Sequence, residues 1–276
     1  MRIDTQVHVI SLNQSRYPLN PPAMDVPRWF ELHGLTVEEL IGEMDAVGMD
    51  KAVLVQGFSA YQYDNRYTAD SAAAYPDRFA CACIVDIHVN PLERVRYWVG
   101  ERKARAIRFF LQLGSDAGWL DSRAGDDVLA ELQAHGAIAQ TALVAEQLPA
   151  LQNAAARHPG LSFLLDHCGF ADFSGGLDFP NAGGLFGLAS VPNVHVKVSN
   201  HVWHLASSTG ANPRSVTTAL VESFGAERVM WASDLTVHDR TYADLIAEAD
   251  SACADLTETQ RALVLGDTAA ALWWPH

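Results

Sequence analysis

Eight times along this chain a short β-rich run is followed by an amphipathic segment, and this alternation limits the fold more than any other feature. The β-rich runs are Ile3–Val9, Ala52–Val55, Phe79–Val85, Ala104–Phe109, Ala137–Leu143, Leu161–Leu165, Val194–Val198 and Arg228–Ala232. Between them the pattern predicts helices over Asn65–Tyr75, Pro91–Val99, Asp126–Ala134, Glu146–Arg157, Gly183–Ala189, Pro213–Phe224 and Tyr242–Ala252. Another helix opens at Thr36, a capping residue with Glu39 three positions on, and stops at Gly48. A last helix, Glu258–Leu272, closes the chain. Strict strand–helix alternation implies a parallel sheet with right-handed crossovers. Eight units fit a closed (β/α)8 TIM barrel better than an open doubly wound sheet. No G-x-G-x-x-G follows the first strand, so a dinucleotide-binding fold has little support.

The 276 residues contain no stretch that reads as a linker, so one barrel domain is expected over residues 1–276. Hydrophobic residues make up 49% of the chain and charged residues 19%, enough apolar surface for a large core. The net charge of −14 repels phosphate backbones and anionic lipid, so neither nucleic acid nor a membrane is an expected partner. No basic region followed by an apolar one opens the sequence, and no apolar run reaches ~18 residues. The four cysteines, Cys81, Cys83, Cys168 and Cys253, form no C-x-x-C pair and read as free thiols. These features together predict a cytoplasmic protein acting on a small molecule. Barrels of this size often pair, so a homodimer is also an expectation.

In such a barrel the chemistry sits at the C-terminal ends of the strands. Four ends carry polar residues. On the first strand, period-two alternation places Asp4, Gln6 and His8 on one face, with Gln6 and His8 at the mouth. The sixth ends in Asp166-His167-Cys168-Gly169, where His167 is either a satisfied core histidine or a ligand-facing one. The eighth ends in Ser233-Asp234, where Asp234 is either a helix cap or a site carboxylate. The fourth carries Arg108 among apolar neighbours, a charge that needs an acidic partner such as Asp166 or Asp86, or an anionic ligand.

Taken together, these ends resemble the amidohydrolase superfamily, in particular its small hydrolases that include 2-pyrone-4,6-dicarboxylate lactonase and sugar lactonases. The resemblance rests on Asp4-Thr5-Gln6-Val7-His8, Tyr75-Pro76-Asp77-Arg78-Phe79, Arg157-His158-Pro159, Leu165-Asp166-His167-Cys168-Gly169, Val196-Lys197-Val198-Ser199 and Met230-Trp231-Ala232-Ser233-Asp234. It implies that Asp234 is the general base, that His167 is the strand-six histidine, and that Arg108 meets a substrate carboxylate. Tyr63, Asn65 and His201 are expected to line the pocket, with Trp203 and His204 as further loop candidates. The long connection 11–29 is expected to form a lid.

The sequence departs from the family pattern at the metal site. The first histidine of the family's H-x-H pair is Gln6, and the fifth strand offers Gln140 in place of histidine. Amide oxygen is a poor zinc ligand beside imidazole. The expected activity is therefore hydrolysis of a lactone, carboxylated or sugar-derived, with no metal required. Asp234 would activate water, while His8, His167 and Gln6 would polarise the carbonyl. One alternative is a metal-dependent amidohydrolase or decarboxylase holding zinc or manganese at His8, His167 and Asp234. Another is a non-catalytic ligand-binding barrel.

Overall fold

In the computed structural model, which describes residues 1–24, 26–112 and 116–275, eight parallel strands pair in sequence order. They are β1 (Ile3–Val7), β2 (Lys51–Val55), β3 (Phe79–Ile84), β4 (Ala106–Phe110), β5 (Ile138–Ala142), β6 (Phe163–Leu165), β7 (Val194–Ser199) and β8 (Val229–Ala232). The ring closes between β8 and β1. There the Asp234 N–H donates to Gln6 O at 3.1 Å and Thr5 Oγ1 to Trp231 O at 2.6 Å. The chain is thus a (β/α)8 barrel.

Alternation along each strand sorts its residues into two environments. On β4, Ile107 and Phe109 join the large core cluster under the helices, as do Val194, Val196 and Val198 on β7. The opposite parity faces the barrel axis. Its lower layer is apolar: Ile3, Val53, Ala80, Ala106, Ile138, Leu164 and Met230 pack together with Trp273. Above that layer the same parity carries Arg108, Gln140, Asp166 and Lys197, all buried. Register fixes this layer in part, since Arg108 pairs with Gln140. A polar floor therefore sits on an apolar plug, at the end of the barrel where the strands point.

Helix starts follow the capping chemistry. Thr36 accepts from the Glu39 N–H and Gly48 ends the helix Val37–Val47 in the left-handed region. The helices Pro213–Phe224 and Tyr242–Ala252 fall where the pattern places them. Two expected helices are not uniform. Pro91–Val95 runs into a wider π-turn at Arg96–Glu101, and the C-terminal helix is split by another at Leu263–Asp267. The second break holds Gly266, where a Cβ would lie 2.2 Å from Met1 O, so the N-terminus crosses the helix only because no side chain stands there. The helix Asn200–Ser208 was expected as loop.

One expected face is corrected. Asp4 does not share a side with Gln6 and His8. A register shift lies between Asp4 and Val7. It turns Asp4 outward, where its carboxylate accepts from Tyr242 Oη at 2.8 Å, from the Ser233 N–H at 2.9 Å and from Ser233 Oγ. Asp4 thus clasps the end of β8 to β1 instead of lining the mouth.

Candidate active site

Gln6, His8, Arg108, His167, His201 and Asp234 all line one cavity of about 250 Å³ at the C-terminal end of the barrel. Backbone geometry aims two of them. His167, Cys168, Gly169 and Phe170 all have left-handed φ, from 49° to 61°, and Asp234 has φ 56°. For residues other than glycine this conformation costs roughly 1–2 kcal/mol each. The chain tolerates it at the two positions where a strand must end abruptly and turn a side chain into the mouth.

At the floor, Asp166 collects three donors. Arg108 Nε lies at 2.7 Å, Gln140 Nε2 at 2.9 Å and Lys197 Nζ at 3.1 Å. Burial alone would raise the Asp166 pKa, but Lys197 and Arg108 outweigh it and hold the carboxyl well below the usual carboxylate range. The acidic partner of Arg108 is thus Asp166, not Asp86.

Lys197 also donates to Gln6 Oε1 at 3.0 Å. The Gln6 amide must then turn its NH2 toward His167 Nε2, 3.1 Å away. This makes His167 Nε2 the acceptor and puts its proton on Nδ1, which faces Ser199 Oγ at 2.9 Å. His8 is fixed in the same sense, because its Nδ1 lies 2.7 Å from Val55 O and must donate there. Burial lowers the His8 pKa to about 4 and that of His167 to about 3, so both rings are neutral near pH 7.

Both Nε2 atoms lie near Asp234, with His8 3.7 Å from Oδ1 and His167 3.5 Å from Oδ2, but the Gln6 N–H occupies the His167 lone pair, so only that of His8 is open. These gaps are longer than direct hydrogen bonds. Burial raises the Asp234 pKa to about 7, Asp166 and Asp4 add to the rise, and Arg108 and Lys197 oppose it. Two neutral ring nitrogens without a proton supply the carboxylate no compensating donor, and Oδ1 has no hydrogen-bond partner.

This geometry alters the expected division of labour. Neutral His8 and His167 accept at Nε2, so neither offers an N–H to a carbonyl. The donors at the floor are the second N–H of Gln6 and the terminal nitrogens of Arg108. Two expected pocket residues lie elsewhere. Asn65 is buried and bridges to β3, with its Nδ2 on Ile84 O and its Oδ1 on the Ile84 N–H, because this amide matches the open backbone edge there. Tyr63 packs edge-on against Phe58 and borders a neighbouring cavity with Asp86 and Trp98. Trp203 is buried, donating to Thr217 Oγ1, and His204 is exposed. His201 does reach the mouth, 6.3 Å from the His167 ring.

Several contributors carry no signal of their own in the sequence. Trp29 stacks on His8 at 5.0 Å, and Phe58 stacks on Phe110 at 4.8 Å. Val26, Pro27 and Trp29 bring the long connection 11–29 over the cavity, apart from Asp25, which lies outside the described residues. That connection is tied down where Tyr17 Oη donates to Asp70 at 2.6 Å. Lys197, quoted only as part of a motif, is the residue that orients Gln6.

A divalent ion would need the lone pairs of both rings, and here the Gln6 amide already donates into that of His167. Lys197 prevents the amide from offering its oxygen instead. Two cationic side chains stand within the same floor. Among the described residues no group of three His, Cys, Asp or Glu side chains is arranged to hold a metal. The Gln6 amide and the two cations therefore compete with a divalent ion for this floor.

The amidohydrolase family pattern matches residues 3–273. A curated relative, L-fucono-1,5-lactonase of Burkholderia ambifaria, is 28% identical over 234 residues, covering 80% of this chain and 79% of that protein. A probable 2-pyrone-4,6-dicarboxylic acid hydrolase from Acinetobacter baumannii, crystallised with citric acid, superposes with a TM-score of 0.78 at 20% identity, covering 99% of this chain and 98% of that one. An amidohydrolase from Burkholderia multivorans with bound zinc superposes with a TM-score of 0.77 at 24% identity, covering 99% of each chain. No helix among the described residues is long and apolar enough to cross a membrane. With the match spanning nearly the whole barrel, the chain belongs to the amidohydrolase family.

Proposed function

We propose that this protein hydrolyses a cyclic ester, with Asp234 as the base and without a metal. The observation that carries the reading is Asp234 itself: a buried carboxyl with a pKa near 7, facing two neutral ring nitrogens across gaps of 3.5 and 3.7 Å. A general base is most effective when its pKa lies near the working pH. A water held there donates one hydrogen to Asp234 and the other to His8 Nε2, the ring lone pair that Gln6 leaves open. Its oxygen lone pair then points at the substrate.

Attack on the lactone carbonyl forms the new C–O bond while the water proton passes to Asp234. The oxyanion lies against the free N–H of Gln6 and the Arg108 guanidinium. Collapse breaks the ring C–O bond, and Asp234 returns its proton to the departing alkoxide. The product is a hydroxy acid, and atoms and charge balance without a co-reactant. The curated lactonase relative supports the substrate class. Arg108 keeps the terminal nitrogens that a substrate carboxylate would meet, since only Nε is drawn to Asp166.

The test is turnover of carboxylated, sugar and aryl lactones by protein treated with a chelator, beside the Asp234→Asn variant. Retained activity after chelation, reduced by about 10³-fold or more in the variant, is the expected result. Activity that vanishes on chelation and returns with zinc or manganese would overturn the metal-free reading. Absence of turnover across the panel would favour a ligand-binding barrel.

A further inference from the structure

The polar groups of the cavity are concentrated at its floor, and most are already engaged. Gln6 is held at both ends of its amide, His8 at Nδ1 and Arg108 at Nε. Above the floor the walls are Val26, Trp29, Phe58, Phe110, Phe170 and Val237. The rings are ordered against one another. Phe58 and Phe110 lie nearly parallel, 19° apart, with the Arg108 guanidinium carbon 5.1 Å over the Phe110 ring. Trp29 covers His8 at an interplanar angle of 26°, and Phe170 stands 5.3 Å from His167. Gly57 makes room for this arrangement, since a Cβ there would lie 3.1 Å from the Trp29 ring.

Among the described residues, the polar side chains in the walls are Ser59, Gln112 and His201. A sugar lactone buries several hydroxyls, each of which costs roughly 1–3 kcal/mol when left without a partner. Three side chains spread over the mouth do not match a ring of hydroxyls. Flat aromatic walls instead favour a flat apolar guest by stacking. The cavity volume of about 250 Å³ is below the ~300–1,000 Å³ common for drug-sized ligands, which limits the guest to one or two rings.

We propose that the substrate is a lactone whose ring is fused to, or substituted by, a flat apolar group such as an aryl or conjugated ring, packed against the Phe58–Phe110 stack. This rests on the hydrolysis reading above and narrows it.

The probes are dihydrocoumarin, an aryl-fused six-membered lactone, and gluconolactone, a polyhydroxylated one of the same ring size. Initial rates are corrected for spontaneous opening. The expected result is a kcat/KM at least about tenfold higher for dihydrocoumarin, the size of one good aromatic contact. Phe58→Ser should remove most of that preference through KM. Phe58→Leu, which keeps the apolar bulk and loses the flat face, should remove part of it. A preference for gluconolactone, or a preference that both Phe58 variants leave untouched, overturns the proposal while hydrolysis stands. Turnover of neither lactone, nor of any other in the panel, removes the hydrolysis reading and this proposal with it.

Discussion

Lys197 Nζ lies 3.0 Å from Gln6 Oε1, and this contact decides which end of the Gln6 amide faces His167. A buried lysine would ordinarily be costly. Burial does lower the Lys197 pKa, but the Asp166 carboxylate opposes that shift. The ammonium stays beside its partner and presents hydrogens in a fixed direction. The consequence passes through the amide to the His167 ring, and from there to the face that Asp234 meets.

Loss of Lys197 should therefore act on both stability and catalysis. Lys197→Met leaves Asp166 buried with one cation fewer. Breaking a buried ion pair from one side typically costs about 3–5 kcal/mol. A urea titration should show a loss of that order. In the protein that remains folded, the Gln6 amide is free to rotate, and kcat should fall while KM changes little. An unchanged kcat would mean that the amide's orientation does not matter.

Gln6→His should convert the site toward metal binding. The variant places a third imidazole-type donor beside His8 and His167 and removes the amide hydrogens from the His167 lone pair. Elemental analysis after zinc loading and desalting should find close to one zinc per chain in the variant and substoichiometric zinc in the natural protein. A thermal shift with zinc should appear only in the variant. Tight zinc binding by the natural protein would show that Gln6 is tolerated in a metal site.

Much of this was legible beforehand. The barrel could be read because eight hydrophobic runs alternate with eight amphipathic ones, and both periods survive in single-residue patterns. His8, His167 and Asp234 could be read because strand ends in a barrel converge. The register shift after Asp4 could not, since period-two counting assumes an unbroken strand. Asn65 and Tyr63 were misplaced because proximity to a strand end does not say whether an amide meets a ligand or the backbone of β3. The aromatic walls were hidden for another reason. Trp29, Phe58 and Phe110 come from three separate connections and strands, and in one dimension each looks like ordinary core.

The pH dependence separates Asp234 from the histidines. With Asp234 as base, log kcat/KM should rise with unit slope up to about pH 7 and then level, because the proton must first leave a carboxyl titrating there. The rings titrate near 3 and 4 and set no limb in that range. An acid limb near pH 4 would remove Asp234 from the role of a raised-pKa base.

Stability should show the same carboxyl. Asp234 holds its proton more tightly when folded than when unfolded, where a carboxyl titrates near ~3.9. Its contribution is full below that value and is lost as pH rises to about 7. His8 and His167 act in reverse, contributing above the unfolded value near ~6.5 and losing that contribution as pH falls through 4 and 3. Asp234→Asn removes only the first effect. The unfolding free energy of the variant should gain on the natural protein between pH 4 and 7, by up to roughly 4 kcal/mol, and then run parallel. A difference independent of pH would mean that the carboxyl titrates normally.

Asn65 gives the complementary case, a polar residue near the site whose role is to hold the frame. Its side chain donates to Ile84 O at 2.8 Å and to Tyr63 O at 3.1 Å, and accepts from the Ile84 N–H at 2.7 Å. Asn65→Ala leaves the Ile84 backbone groups without these partners inside the protein. Each unsatisfied buried group costs about 1–3 kcal/mol, so a loss of about 3 kcal/mol in unfolding free energy is expected. Because the side chain does not reach the cavity, KM for a good lactone substrate should stay within about twofold of its natural value in the folded fraction. A large rise in KM with little loss of stability would return Asn65 to the pocket wall and show that the end of β3 moves when substrate binds.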